Sequence, residues 1–165
     1  MADVASTVLG LFGPLHDRVR AEVEGLDDDA LNWSPGADAN SIATIVIHMV
    51  GSEAETLRAV AGVSGARDRE AEFTPVTRTP AEVLGVLDAA DQLLAELRPA
   101  IGADRLGVVV ALPTLPAEDR RSGLAWLVAN YGHAREHVGH IQLTKQLYVT
   151  PGATDQLARD QSGTE

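Results

Sequence analysis

The chain contains no cysteine, so a disulfide framework, a thiolate metal site and a cysteine nucleophile are all excluded. Any metal it binds must be held by nitrogen and oxygen. Aromatic residues make up only 4% of the 165 residues, which argues against a strand-rich sandwich. Positive charge is also scarce: 13 Lys and Arg face 24 Asp and Glu, giving a formal net charge of −11. Such a surplus repels phosphates and sets DNA, RNA and anionic membranes aside as non-specific partners. No apolar run approaches the roughly 18 residues of a membrane helix. The start, MADVASTVLGLFGPLHDRV, lacks the basic opening and unbroken apolar run of a signal peptide. The expectation is a cytoplasmic protein.

What remains is rich in Ala, Leu and Val, with 45% apolar residues overall, a composition that suits helices packed on helices. The length fits one domain. Val4, Val8, Leu11, Phe12, Leu15 and Val19 recur at helical spacing. They predict a first helix to about Val23, in which Pro14 either kinks the helix or marks its real beginning. His16 stands there without companions and reads as a lone surface or core-edge residue. The run Asp27-Asp28-Asp29 lacks the alternating spacing of a calcium loop and reads as capping and solvation.

Asn40 or Ser41 caps a second helix to about Val60, with Ile42, Ile45, Val46, Met49, Leu57 and Val60 on its apolar stripe and His48 at the stripe's edge. A long connection follows. Thr79-Pro80-Ala81-Glu82 then carries the hydroxyl, proline and glutamate of a capping box, opening a third helix to about Ile101. The β-branched run Val108–Val110 has no evident strand partner and reads as an ordered loop or a buried extended segment. A fourth helix begins near Ser122. The expected fold is all-α: a four-helix bundle over residues 1–150 with a long crossover between helices two and three, followed by a polar, mobile tail over 151–165.

The fourth helix holds three of the five histidines, His133, His137 and His140. At 100° per residue, His133 and His140 lie about 40° and 60° to the same side of His137, so the imidazoles form one column. An i, i+4 pair of neutral imidazoles can bite one transition-metal ion such as zinc, nickel or iron. A third ligand must come from another element, and His48 is the natural candidate. The plain alternative is a row of polar residues at a bundle edge, bonded to Asn130, Thr144 or water, but adjacent protonatable rings would repel one another.

The segments LNWSPGADANSIATIVIHMVGSEAETLRAVAG and HAREHVGHIQLTKQLY resemble the DinB superfamily. The resemblance implies a helical bundle, a frequent homodimer, and a divalent metal held by one histidine of helix two and an i, i+4 pair of helix four. By position these are His48, His133 and His137. His140 stands where a glutamine is common, as a fourth ligand, an outer-sphere partner or a substrate contact. The resemblance implies varied chemistry: some members are thiol-dependent S-transferases or isomerases that use a low-molecular-weight thiol as cosubstrate, some resemble hydrolases, and many have no assigned reaction.

Three neutral histidines leave an ion positively charged and coordinatively open, the pattern of a catalytic site that activates a bound water or thiol for a small-molecule substrate. Glu53 and Glu136 are the nearby carboxylates for a general base. Trp126, Asn130 and Tyr148 share the histidine face as pocket lining. His133-Ala134-Arg135-Glu136-His137 also matches H-x-x-E-H, which would make a small metalloprotease; only three positions are fixed, and no well-placed carboxylate ligand follows. A di-iron bundle would need paired Glu-x-x-His motifs, which are absent. The reading from a different class is a non-catalytic metal- or ligand-binding stress-response bundle.

Overall fold

The computed structural model describes residues 3–74 and 76–150, and the expected tail at 151–165 lies outside them. The chain is mostly helical: α1 (Val4–Leu9), α2 (Phe12–Val23), α3 (Asp28–Asn32), α4 (Ile42–Ala61), α5 (Arg69–Glu72), α6 (Pro80–Leu97), α7 (Ala103–Gly107) and α8 (Gly123–Val149). Strands β1 (Val109–Ala111) and β2 (Arg120–Ser122) form a small antiparallel sheet that pairs Val110 with Arg121. The all-α expectation is corrected at this point. Val108–Val110 does have a partner, and it went unread because the partner is Arg120-Arg121-Ser122, a polar segment whose extension is set by pairing rather than by propensity.

Helix boundaries follow local chemistry. Ser41 caps α4 by accepting the Thr44 N–H, and Gly62 closes it in the left-handed region at φ 77°. Asp27 caps α3 through the Ala30 N–H, and Ser122 caps α8 through the Ala125 N–H. The first helix is two pieces rather than one. It breaks at Gly10-Leu11, so Pro14 falls in the first turn of α2, where a missing N–H costs no helical bond.

Thr79 and Glu82 form the full reciprocal capping box at the start of α6. Thr79→Ala removes the acceptor of the Glu82 N–H and is expected to cost about 1 kcal/mol. Urea unfolding reads this as a lower midpoint at unchanged slope.

The long helices bury one face each. Helix α4 packs on α8 and α6, and α2 packs on the same two. Leu15, Val19, Ile42, Val46, Met49, Leu87, Val138 and Ile141 fill one half of the core. Leu9, Phe12, Leu57, Leu94, Trp126 and Leu127 fill the other. Tyr131 touches both halves and meets Phe12 edge to face, with ring centroids 5.8 Å apart.

His16 is neither lone nor exposed. It is fully buried, with Nδ1 2.7 Å from Asp91 Oδ1 and Nε2 2.8 Å from Glu53 Oε2, so it joins α2 to α6 and α4. Arg20 adds a second cation against Asp91 and Asp88. The partners of His16 lie 37 and 75 residues away in sequence, beyond the reach of any local pattern.

Candidate metal centre

The site lies where α4 faces α8, the most extensive helix pairing in the chain. His48 projects from α4 near the stripe edge and is buried, while His133 and His137 project from α8 one turn apart and are half-buried. One ligand nitrogen from each ring falls within a cluster whose members all lie within 4.8 Å of one another. The His48 ring centroid is 5.2 Å from those of His133 and His137, and the latter two are 4.3 Å apart. The Nε2 atoms of His133 and His137 approach to 2.9 Å. No other group of this kind occurs among the described residues.

The donor set fits a divalent transition ion. Burial pushes the His137 pKa down to about 4, and the neighbouring His133, His48 and His140 rings add to the effect. Burial likewise lowers His133, helped by His48 and Arg67. For His48 burial outweighs the opposing influence of Glu72. All three are therefore neutral imidazoles at pH 7, the form in which a lone pair is available to a cation. His133 Nδ1 is buried without a partner.

The crossover between α4 and α6 supplies a support that sequence reading missed. His48 Nδ1 donates to Glu72 Oε2 on α5 at 3.0 Å, which fixes the tautomer and leaves Nε2 as the free donor atom. Arg67 grips both Glu72 oxygens at 2.7 Å and reaches Glu55 Oε2 at 2.9 Å. Glu55 in turn accepts from the Thr114 N–H and hydroxyl at 2.8 and 2.7 Å. One chain of charge-assisted bonds thus ties α4, the crossover and the loop before β2 to one histidine. The only sequence signal for it was an Arg and a Glu five residues apart in a segment otherwise read as connection. Phe73 packs beside the same ring, centroids 4.8 Å apart.

Replacing Glu72 by Gln keeps the size of the side chain but removes the charge that orients His48. Glu72→Gln is expected to weaken metal affinity about 10- to 100-fold with the fold retained. Competition against a chromogenic chelator measures it.

The other sequence candidates are distributed differently. His140 is exposed and contacts His137, Nδ1 to Nδ1 3.4 Å, but lies outside the three-nitrogen group. Trp126 and Asn130 line a cavity of about 230 Å³ that opens beside His48 and His133. Asn130 donates to Ser52 Oγ at 3.0 Å across the α4–α8 seam. Tyr148 is not part of that lining; it sits edge-on to Trp33 with centroids 5.6 Å apart. Glu53 is 1% exposed and committed to His16, away from the cavity lining. Glu136 is exposed on α8 and also absent from that lining. The structure therefore gathers His48, His133, His137, Trp126 and Asn130 and leaves both carboxylates of the sequence reading outside.

No helix among the described residues is long and apolar enough to cross a membrane. No curated protein matches the chain. A solved structure, of a DinB-like protein from Bacillus cereus, superposes with a TM-score of 0.66 at 10% identity, covering 86% of this chain and 90% of that one. The family model of the DinB superfamily matches residues 15–141. That span takes in α4, the crossover and all three clustered histidines, and the chain belongs to the DinB superfamily.

Proposed function

We propose that this protein is a metal-dependent enzyme on a four-helix-bundle scaffold of α2, α4, α6 and α8, acting on a small molecule as a thiol S-transferase or hydrolase. The observation that carries the reading is the three-nitrogen cluster of His48, His133 and His137 with His48 oriented by Glu72. A divalent ion held by three neutral imidazoles supplies Lewis acidity and lowers the pKa of a coordinated water or thiol.

The chain's own groups favour the thiol over water. Among the described residues the only carboxylate lining the adjoining cavity is Glu55, and its oxygens are taken by Arg67 and Thr114. A committed carboxylate is a poor general base. A low-molecular-weight thiol ionises more readily than water and needs such a base least. Trp126 and Leu112 exclude water from one wall of the cavity, while Ser52, Asn130 and Thr114 offer polar contacts that orient a bound molecule.

The test is turnover by metal-loaded, untagged protein across low-molecular-weight thiols with electrophilic acceptors, set beside ester and amide substrates. The expected result is thiol consumption that stops on chelation and returns with added metal. Metal binding without turnover anywhere in such a panel would instead favour the non-catalytic binding bundle.

A further inference from the structure

A second cavity, of about 520 Å³, has none of the three clustered histidines in its lining and shares Glu55 and Arg67 with the smaller one. Its volume is in the range of small-molecule sites. Four arginines line it: Arg58 from α4, Arg67 from the crossover, Arg105 from α7 and Arg120 from β2. Among the described residues Glu55 is its one acidic residue, and Arg67 and Thr114 answer that charge. In a chain with 24 acids against 13 bases, this local excess of positive charge runs against the whole.

Of the four, Arg67 is paired with Glu55 and Glu72, and Arg58, Arg105 and Arg120 lack an acidic partner among the described residues. A role in capping the end of α4 accounts for only part of one side chain. Three of the last four carbonyls of α4 are already met: Arg58 O by the Val63 N–H, Ala59 O by the Gly62 N–H, and Val60 O by Arg105 Nε at 2.8 Å. Among the described residues the terminal nitrogens of Arg105 and the whole guanidinium of Arg58 remain, and Arg120 spends one nitrogen on a long 3.5 Å bond to the Val109 carbonyl.

The backbone makes room for both. A Cβ on Gly62 would lie 2.7 Å from an Arg105 terminal nitrogen, and one on Gly65 would collide with Arg58 Cδ. Gly62 also sits at φ 77°, where a side chain is disfavoured.

We propose that this arginine-lined cavity binds a small oxyanion, the carboxylate or phosphate portion of an organic molecule. Planar guanidinium forks match both groups bidentately. The proposal stands on the arginines and not on the metal, so it holds whether or not the catalytic reading does. Where both hold, a substrate or cosubstrate anchored here by its anionic end reaches toward the histidines past Arg67.

Calorimetric titration of metal-stripped full-length protein tests it, with inorganic phosphate and succinate as separate probes and neutral succinamide as control. Saturable binding of either anion, with none of succinamide, is the expected result. Phosphate alone would identify a phosphorylated ligand and succinate alone a carboxylic one. Arg58→Ala and Arg120→Ala should each weaken the binding about tenfold or more, as loss of a charge-assisted bond implies, while Arg135→Ala, on the exposed face of α8, should leave it within about twofold. Arg120 is exposed on β2, so its replacement keeps the test open should Arg58→Ala fail to fold. The proposal falls if neither anion binds saturably up to about 10 mM, or if the Arg58 and Arg120 variants bind as the parent does.

Discussion

His48→Ala is expected to take the metal content of the purified, untagged protein from about one ion per chain to nearly none, as the loss of one of three protein ligands from an open site implies. The remaining pair, His133 and His137, comes from a single helix one turn apart, and His48 is the ligand that closes the set from α4. His140→Ala should retain the ion, because His140 lies outside the three-nitrogen group. Elemental analysis reads both. The same contrast should appear in stability, since an ion that binds only the folded chain raises its unfolding free energy by mass action. A chelator should lower the melting temperature of the parent and of His140→Ala, and leave that of His48→Ala unmoved.

The second large effect lies away from the site. His16→Ala is expected to destabilise the fold by about 3–5 kcal/mol, the range for breaking a buried ion pair by removing one partner. Glu53 is 1% exposed and its Oε1 already lacks a partner, so the substitution leaves the carboxylate with neither oxygen paired.

The effect carries a pH signature. Burial alone would lower the His16 pKa, but the hydrogen bonds and charges of Glu53 and then Asp91 overcome it and raise the value above 6.5. A raised folded value means that protonated His16 contributes fully below the unfolded pKa of 6.5, and that this contribution is lost as pH rises through the folded value. The stability gap between parent and His16→Ala should therefore be widest below pH 6.5 and narrow at higher pH. The clustered histidines have lowered values and act in the opposite sense, so the gap between the two proteins is the quantity to follow. Urea unfolding of metal-free protein across that pH range measures it, and a gap that widened with pH would contradict the assignment.

These two clusters show how far the sequence could be read. The column on α8 was legible because helical periodicity converts offsets of three, four and seven residues directly into a shared face. The cap at Thr79, the choice of Asn40 or Ser41 for α4 and the start of α8 near Ser122 were legible because a cap is a contact within four residues. His48 could be nominated because it stood at the edge of its own stripe. What escaped has one common cause, a partner far away in sequence. Glu72 and Arg67 act on a histidine 24 and 19 residues earlier, from a segment whose composition signals only connection. Glu53 looked like a base beside the site, yet it faces His16 across the core, and one step of 100° along α4 decides between those two environments. The β1–β2 pair was missed for the same reason, since Arg120-Arg121-Ser122 is extended by its partner and not by its own side chains.

The most direct test of the three-imidazole centre is X-ray absorption at the edge of the metal that copurifies with untagged protein, measured on the parent and on His48→Ala reconstituted with the same ion. For zinc, the parent should show three imidazole nitrogens at about 2.0–2.1 Å with the scattering pattern of the rings. The variant should lose one ring from that shell or fail to hold the ion. An all-oxygen shell in the parent, or an imidazole count unchanged by His48→Ala, would contradict the assignment of His48, His133 and His137 as the metal ligands.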